Sequence, residues 1–215
     1  MLCWGLVEKG RVQRWRGRWE EARAALTRGA EVATAIPDSW THAQVYGELG
    51  QLYLGQGDLE QALSALREGQ RLRRKYRVRY VHATPVINGW AEAQLQAAER
   101  GDGAERRDWL KKGRQACQDS LKHCRIYRGG LPEAMRLQGT YEWLEGKSSA
   151  ARKWWERSTD QAEELGQPYD LGRIHLELGC RLDDRTHLEN AESIFAEIGA
   201  EWDLAQARKA LGKTQ

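Results

Sequence analysis

Residues 46–63, with the sequence YGELGQLYLGQGDLEQAL, constrain the fold of this chain more than any other segment. Tyr46, Leu49 and Tyr53 recur at helical spacing and form one apolar stripe. Gly50 lies beside this stripe and has no side chain, so a neighbouring helix can approach closely there. The segment therefore predicts an amphipathic helix that packs tightly against a partner helix.

The partner helix follows in the sequence after a short turn. Gly57 tolerates the left-handed backbone that ends a helix, and the Asp58 side chain can cap the next one. Beyond the turn, Ala62, Leu66 and Gly69 form a face of small, large and small residues that complements the first stripe. The unit is thus a pair of antiparallel helices.

The same unit recurs along the chain at offsets of 40, 44 and 89 residues, and a further copy surrounds Gly179. The Gly50 position is taken by Gly10, Gly139 and Gly179. The Leu66 position is taken by Leu26, Leu110, Trp155 and Phe195. Helix pairs repeated in this way predict a solenoid, in which each pair buries its apolar face against its neighbours.

The Leu-Gly-x-x-Tyr spacing at residues 49–53 and the Gly-Asp turn resemble the tetratricopeptide repeat. We accordingly predict an all-α, right-handed α-solenoid of about five tetratricopeptide-like helix pairs, forming one domain over residues 1–215. The repeats are predicted at residues 3–37, 42–80, 86–128, 132–166 and 168–213.

Residues 165–208 also resemble the carboxyl-terminal repeat region of bacterial multidomain signalling ATPases, which are linked to a cyclase, a kinase or a DNA-binding domain. The resemblance implies a sensor arm that binds a partner or ligand and controls the ATPase. This chain has neither a Gly-x-x-x-x-Gly-Lys-Ser/Thr phosphate loop nor a cyclase or kinase signature, so any ATPase lies elsewhere. We expect either a fragment of a longer protein or a short stand-alone relative.

Charge and cysteine usage restrict the cellular setting. Residues 1–130 carry a net charge of +8 and residues 131–215 a net charge of −5. The longest apolar run is too short for a membrane helix, and the N-terminus has no secretory pattern. The four cysteines include no Cys-x-x-Cys pair, which disfavours a disulfide framework or a zinc finger. We predict a cytoplasmic protein without a membrane or cofactor.

The repeats predict a non-catalytic interaction or sensor module, because no nucleophile with its base and no carboxylate pair in an apolar setting is evident. A peptide or protein segment is expected in the concave groove, where the first helix of each pair presents its residues. The residues predicted to contact it are Arg11, Arg14, Gln44, Gln51, Asn88, Arg136, Thr140 and Arg173.

Other hypotheses remain open at this point. The superhelix could enclose a small-molecule pocket, or the basic stretch from Arg67 to Arg79 could bind nucleic acid, which we consider less favoured. A metal site at Cys117, His123 and Cys124 lacks a fourth ligand, and none is expected. A terminal repeat with an apolar outer face could support self-association.

Overall fold

The computed structural model describes residues 2–36 and 38–213 and consists of α-helices joined by short turns, with no β-strand in these ranges. The described ranges leave out four residues, Met1, Pro37, Thr214 and Gln215. Pro37 is the last residue of the first predicted repeat, and the other three belong to the ends of the predicted domain. The helices are α1 (Leu2–Trp15), α2 (Trp19–Ala35), α3 (Ser39–Gln56), α4 (Leu59–Lys75), α5 (Thr84–Arg100), α6 (Gly103–Cys124), α7 (Leu131–Leu144), α8 (Ser148–Glu164), α9 (Pro168–Leu182), α10 (Arg185–Ile198) and α11 (Glu201–Lys213). Two short 3-10 helices, Tyr80–Ala83 and Arg128–Gly130, precede α5 and α7.

Helices α1 to α10 pack as five consecutive pairs, and α11 follows the fifth pair. Within each pair the two helices make the most extensive contact, and α3 also packs on α5, and α5 on α7, along one side of the array. The predicted all-α solenoid of helix pairs is confirmed. The odd-numbered helices line its inner side, because each first helix packs on the first helix of the next pair.

Glycines set the distance between the two helices of a pair. A Cβ atom added at Gly50 would lie 2.4 Å from Leu66 Cγ, and one at Gly139 would lie 2.4 Å from Trp155 Nε1. These are the pairs of positions that the repeat alignment matched. The small residue lets a large one from the second helix fill the space where a side chain would stand.

The turn of the second pair follows the sequence prediction. Gly57 adopts a left-handed backbone with φ of 79°, which a residue with a side chain rarely adopts. The Asp58 carboxylate then accepts a hydrogen bond from the Gln61 backbone N–H at 3.1 Å. This bond satisfies one of the free N–H groups at the start of α4.

The end of the array returns to its beginning. Trp15 at the end of α1 stacks on Tyr169 of α9 with ring centroids 4.4 Å apart. Trp19 of α2 meets Trp202 of α11 edge to face at 4.8 Å. These four aromatic residues form what we call the closing seam. The two ends of the array therefore meet, and the pockets along the concave side remain partly open to solvent.

The closing seam gives a testable consequence for shape. Replacing Trp202 by alanine is expected to lower the free energy of unfolding by about 1–3 kcal/mol, because an aromatic contact and its buried area are lost. Small-angle scattering should show a larger radius of gyration as the two ends separate. Trp4, which is 57% exposed, provides the control, and Trp4→Ala should leave the scattering profile unchanged. Identical profiles for Trp202→Ala and the unmodified chain would argue against the seam.

Candidate functional site

Three neighbouring cavities lie along the inner helices. Cavity A has a volume of about 490 Å³, cavity B about 510 Å³ and cavity C about 410 Å³. Each volume lies in the range of ordinary ligand sites, roughly 300–1,000 Å³. Cavities A and B share a set of lining residues that we call the waist. The waist consists of Arg14, Gln51, Tyr169 and Arg173.

Cavity C opens from the other side of cavity A. The two share Glu92, Arg173 and Glu177 in their linings. The three cavities adjoin one another along the inner side of the array, and we call them together the channel. Cavity B lies on one side of the waist and cavities A and C on the other.

A network of buried ion pairs forms the wall of cavities A and C. Glu92 of α5 accepts hydrogen bonds from Arg173 of α9 at 2.6 Å and from Arg136 of α7 at 3.4 Å. Arg136 also donates to Glu177 at 3.3 Å. These contacts connect three inner helices, so the network fixes their spacing.

The pKa values of the carboxyl groups follow from this network. Burial alone would raise the pKa of Glu92, but Arg173 and Arg136 outweigh burial and lower the pKa to about 2. The pKa of Glu177 is also lowered, because Arg136 and Arg181 outweigh its burial. Both carboxylates are therefore charged at neutral pH and are compensated by arginines.

A second ion-pair group lies on the first two inner helices. Arg11 donates to one oxygen of Glu48 through Nε at 3.0 Å and Nη2 at 2.7 Å. Arg14 lies farther from Glu48, at 3.9 Å, and its Nε atom is buried without a hydrogen-bond partner. Arg14 at the waist is thus held less firmly than Arg11.

The amide of Gln51 is the most unusual polar group of the channel. The residue is only 6% exposed, and no hydrogen bond joins its side chain to another described residue. It lines both cavity A and cavity B. Buried amides usually have partners, so an unpaired amide that faces a cavity indicates a position for a ligand group or water.

Cavity B contains two carboxyl groups from neighbouring repeats, Glu133 of α7 and Asp170 of α9. Glu133 accepts a hydrogen bond from the Asn88 amide at 2.8 Å. Burial, and then the negative charge of Glu133, raise the pKa of Asp170 to about 7, although Arg173 and other arginines act against this rise. Glu133 therefore lies close enough to Asp170 to oppose its ionisation.

Six of the eight residues predicted for the groove line this channel, and they are Arg11, Arg14, Gln51, Arg136, Thr140 and Arg173. The other two make hydrogen bonds with neighbouring segments. Gln44 bonds to His82 Nδ1 at 2.7 Å. Asn88 accepts from the Ser120 hydroxyl at 2.6 Å as well as donating to Glu133. That the eight residues contact a partner stays a prediction.

The sequence analysis missed the acidic partners of these arginines. A usable signal was present, because a glutamate recurs two residues before the repeat glycine. With the offsets used above, Glu8, Glu48, Glu92 and Glu177 occupy one and the same repeat position. Each of the four forms an ion pair with an arginine of the inner helices. A charged residue at a repeated inner position predicts a channel lined by ion pairs.

The remaining sequence hypotheses involve residues outside the channel. Within the basic stretch, Arg71 is paired with Glu68 and Arg73 with Gln70. Cys117 donates to the Leu137 carbonyl, and the described residues contain no group of three or more His, Cys, Asp or Glu that could hold a metal. Nor does any described helix combine the length and the apolar character that crossing a membrane requires.

Comparison with known proteins agrees with the repeat assignment. Residues 2–75, which cover the first two helix pairs, match the sequence model of the tetratricopeptide repeat. No curated protein matches the sequence significantly. Tetratricopeptide repeats generally act as non-catalytic modules for protein interaction or sensing.

Among solved structures, the fold is similar to that of a Signal Transduction ATPase with Numerous Domains (STAND) protein with a tetratricopeptide repeat sensor from Pyrococcus horikoshii. The sequence identity is 15% and the TM-score 0.57, over 97% of this chain and 31% of that one. This chain thus spans about a third of that protein's length. The predicted likeness to repeat arrays of signalling ATPases is confirmed at the level of fold.

Proposed function

We propose that this tetratricopeptide-repeat array is a non-catalytic sensor module that binds an extended peptide segment of a partner protein in its channel. The similar fold in a signalling ATPase with a tetratricopeptide repeat sensor supports a regulatory role. In this proposal the array controls a linked ATPase in the cytoplasm of a bacterium. Binding inside the channel would act on the closing seam, because Trp19, Tyr169 and Trp202 line cavity A as well as closing the array. Occupation of the channel would thereby change the curvature of the array.

The observation that carries this proposal is the unpaired amide of Gln51 at the waist. A peptide group offers one N–H donor and one C=O acceptor, and the Gln51 amide offers the matching acceptor and donors. An extended peptide that passes from cavity B to cavity A would bring its main chain past this amide. The same geometry leaves aromatic side chains on both sides of the waist to contact peptide side chains.

A small-molecule ligand is the second candidate. The observation that favours it is the closing seam, since the seam brings the two ends of the array together around cavities of ligand size. Such a ligand would use the same amide and the same cavities.

Selection from a library of random displayed peptides tests the peptide proposal. The unmodified chain is the bait, and Gln51→Leu and Gln56→Leu are compared with it. Gln56 lies on the same helix but is exposed, so its replacement is the matched control. Enriched peptides should bind the unmodified chain and Gln56→Leu equally, and Gln51→Leu about tenfold or more weakly, because a buried peptide group loses its partner.

Two results would contradict the proposal. One is that no peptide is enriched over an empty support. The other is that enriched peptides bind Gln51→Leu as well as the unmodified chain, which would place them outside the waist.

A further inference from the structure

The charged groups that line cavity B are three arginines, Arg11, Arg14 and Arg173, and three acids, Glu48, Glu133 and Asp170. Arg11 pairs with Glu48 and Arg173 with Glu92, whereas Arg14 lies 3.9 Å from Glu48. Among the described residues, neither Glu133 nor Asp170 forms an ion pair, and the only hydrogen-bond donor to Glu133 is the neutral amide of Asn88. Glu133 and Asp170 are thus the acids of cavity B without an ion pair among the described residues, although arginines lie near both.

A second, independent observation indicates that a ligand occupies this place. The Gln51 amide, buried and unpaired, faces the same cavity as the two carboxyl groups. Its side chain comes from α3, whereas the carboxyl groups come from α7 and α9. Two inner helices therefore present polar groups without hydrogen-bond partners to this space, Gln51 and Asp170, and a third contributes Glu133, which is bonded to the Asn88 amide.

We infer that cavity B receives a primary ammonium group of the ligand between Glu133 and Asp170, while the Gln51 amide bonds the adjoining part of the ligand. This inference rests on the proposed function, which it makes more specific. A cation would bind both carboxyl groups at once through charged hydrogen bonds. The rings of Trp15, Tyr127 and Tyr169 line the same cavity, and aromatic faces attract ammonium groups.

The composition of the site favours ammonium over a metal ion. Calcium takes about six to eight oxygen ligands, and transition metals need several His, Cys or carboxylate ligands. The described residues contain no group of three or more such side chains. An ammonium group is satisfied by two carboxylates and one further acceptor, because it has three donors.

The protonation of Asp170 couples binding to pH. The charged groups that face Asp170 are Glu133 and Arg136 of α7, Arg173 of its own helix and Arg14 of α1, with Arg11 and Glu48 in the same cavity. With a pKa of about 7, Asp170 is mostly protonated at pH 6 and mostly ionised at pH 8. A bound ammonium group favours the ionised form, so affinity should rise about tenfold between these two values.

The probe for this site is N-acetyl-lysine methylamide, and N-acetyl-norleucine methylamide is its uncharged counterpart. Binding is followed at pH 8 by tryptophan fluorescence and by NMR, since Trp15 lines the cavity. The lysine probe should bind and the norleucine probe should not. Asp170→Asn and Glu133→Gln should each weaken binding of the lysine probe about tenfold or more, because a charged hydrogen bond is lost.

Asp160 on α8 is exposed and supplies the control, since Asp160→Asn makes the same change of charge on the outer surface. That variant should bind like the unmodified chain. Asp170→Asn should also abolish the increase in affinity between pH 6 and pH 8. Equal binding of the two probes, or unchanged binding in both cavity variants, would overturn the inference.

Spermidine distinguishes the possible sources of the ammonium group. If spermidine binds at the site much more tightly than the lysine probe and the library yields no peptide, the ammonium site stands and the peptide proposal fails. If library peptides depend on Gln51 but not on Asp170 or Glu133, the peptide proposal stands and the ammonium site fails. Lysine-containing peptides that depend on all three residues would support both.

Discussion

Replacing Arg136 by methionine is expected to lower the free energy of unfolding by on the order of 3 kcal/mol at pH 7, because two buried carboxylates lose a shared partner. The side chain of Arg136 is 4% exposed and bonds to both Glu92 and Glu177. Methionine keeps much of the side-chain volume, so the variant mainly removes charge and donors. Arg173 and Arg181 still compensate the two carboxylates in part, which limits the loss.

The pH dependence of this loss separates it from a packing effect. In the unmodified chain the pKa of Glu92 is about 2, below its usual value, so the ion pairs contribute stability above about pH 4.3, and this contribution is lost as pH falls toward 2. Without Arg136 the pKa values of both glutamates should rise. Urea unfolding should therefore show a large difference between variant and unmodified chain at pH 7 and a smaller one at pH 3.5.

Arg128 provides the matched control on the outer surface. It pairs with Glu164 at 2.8 Å, with side chains that are 50% and 60% exposed. Because exposed ion pairs are worth about 0–1 kcal/mol, Arg128→Met should change stability little at either pH. An equal loss for the two arginine variants, or a loss for Arg136→Met that does not depend on pH, would show that the buried network has no special role.

The helix pairs could be predicted from the sequence because their determinants are local. Gly50, the Gly57–Asp58 turn and Leu66 lie within 17 residues, and each acts through backbone conformation or close packing of neighbours. The fifth pair shows the limit of this approach. The repeat alignment pairs Gly179 with Phe195, but in the structure Phe195 lies against Gly172 and Gly179 lies against Leu188. The large residue beside each glycine is therefore not the one that the alignment predicts.

Closure of the array could not be predicted in the same way. It depends on small rotations between successive pairs that add up over the whole chain, and no short segment encodes their sum. The aromatic residues that meet at the seam, such as Trp19 and Trp202, are far apart in sequence. In the structure Trp202 contacts the first repeat of its own chain.

The candidate site was predicted in part for related reasons. The repeat periodicity predicts that Arg136 and Arg173 lie on the inner side. It does not predict whether these arginines contact a partner or pair with carboxylates of neighbouring helices. The pairing of Arg173 with Glu92 joins α9 to α5 across 81 residues of sequence, so no local pattern predicts it. The arginines thus contribute to the wall of the channel, and the groups left for a ligand are Gln51, Glu133 and Asp170.

Gly139→Ala is expected to destabilise the protein by about 2 kcal/mol, although alanine is the better helix former. The added Cβ would lie 2.4 Å from Nε1 and 2.5 Å from Cδ1 of Trp155, whose side chain is fully buried and cannot turn away. Any shift of the ring also strains the hydrogen bond from Trp155 Nε1 to the Arg136 carbonyl, at 3.2 Å. The fourth helix pair would have to separate.

Gly5 is the control for this substitution, because it is also helical but exposed, and a Cβ there meets nothing within 4 Å. Gly5→Ala should stabilise the protein by about 0.5–1 kcal/mol through helix propensity alone. Urea unfolding should therefore show a lower free energy of unfolding for Gly139→Ala and a higher one for Gly5→Ala. Because the two substitutions are chemically identical, this difference would be due to the close approach of α7 and α8. If Gly139→Ala stabilised the protein as Gly5→Ala does, the contact between these helices would be looser than the structure shows, and glycine would not set the spacing of the pairs.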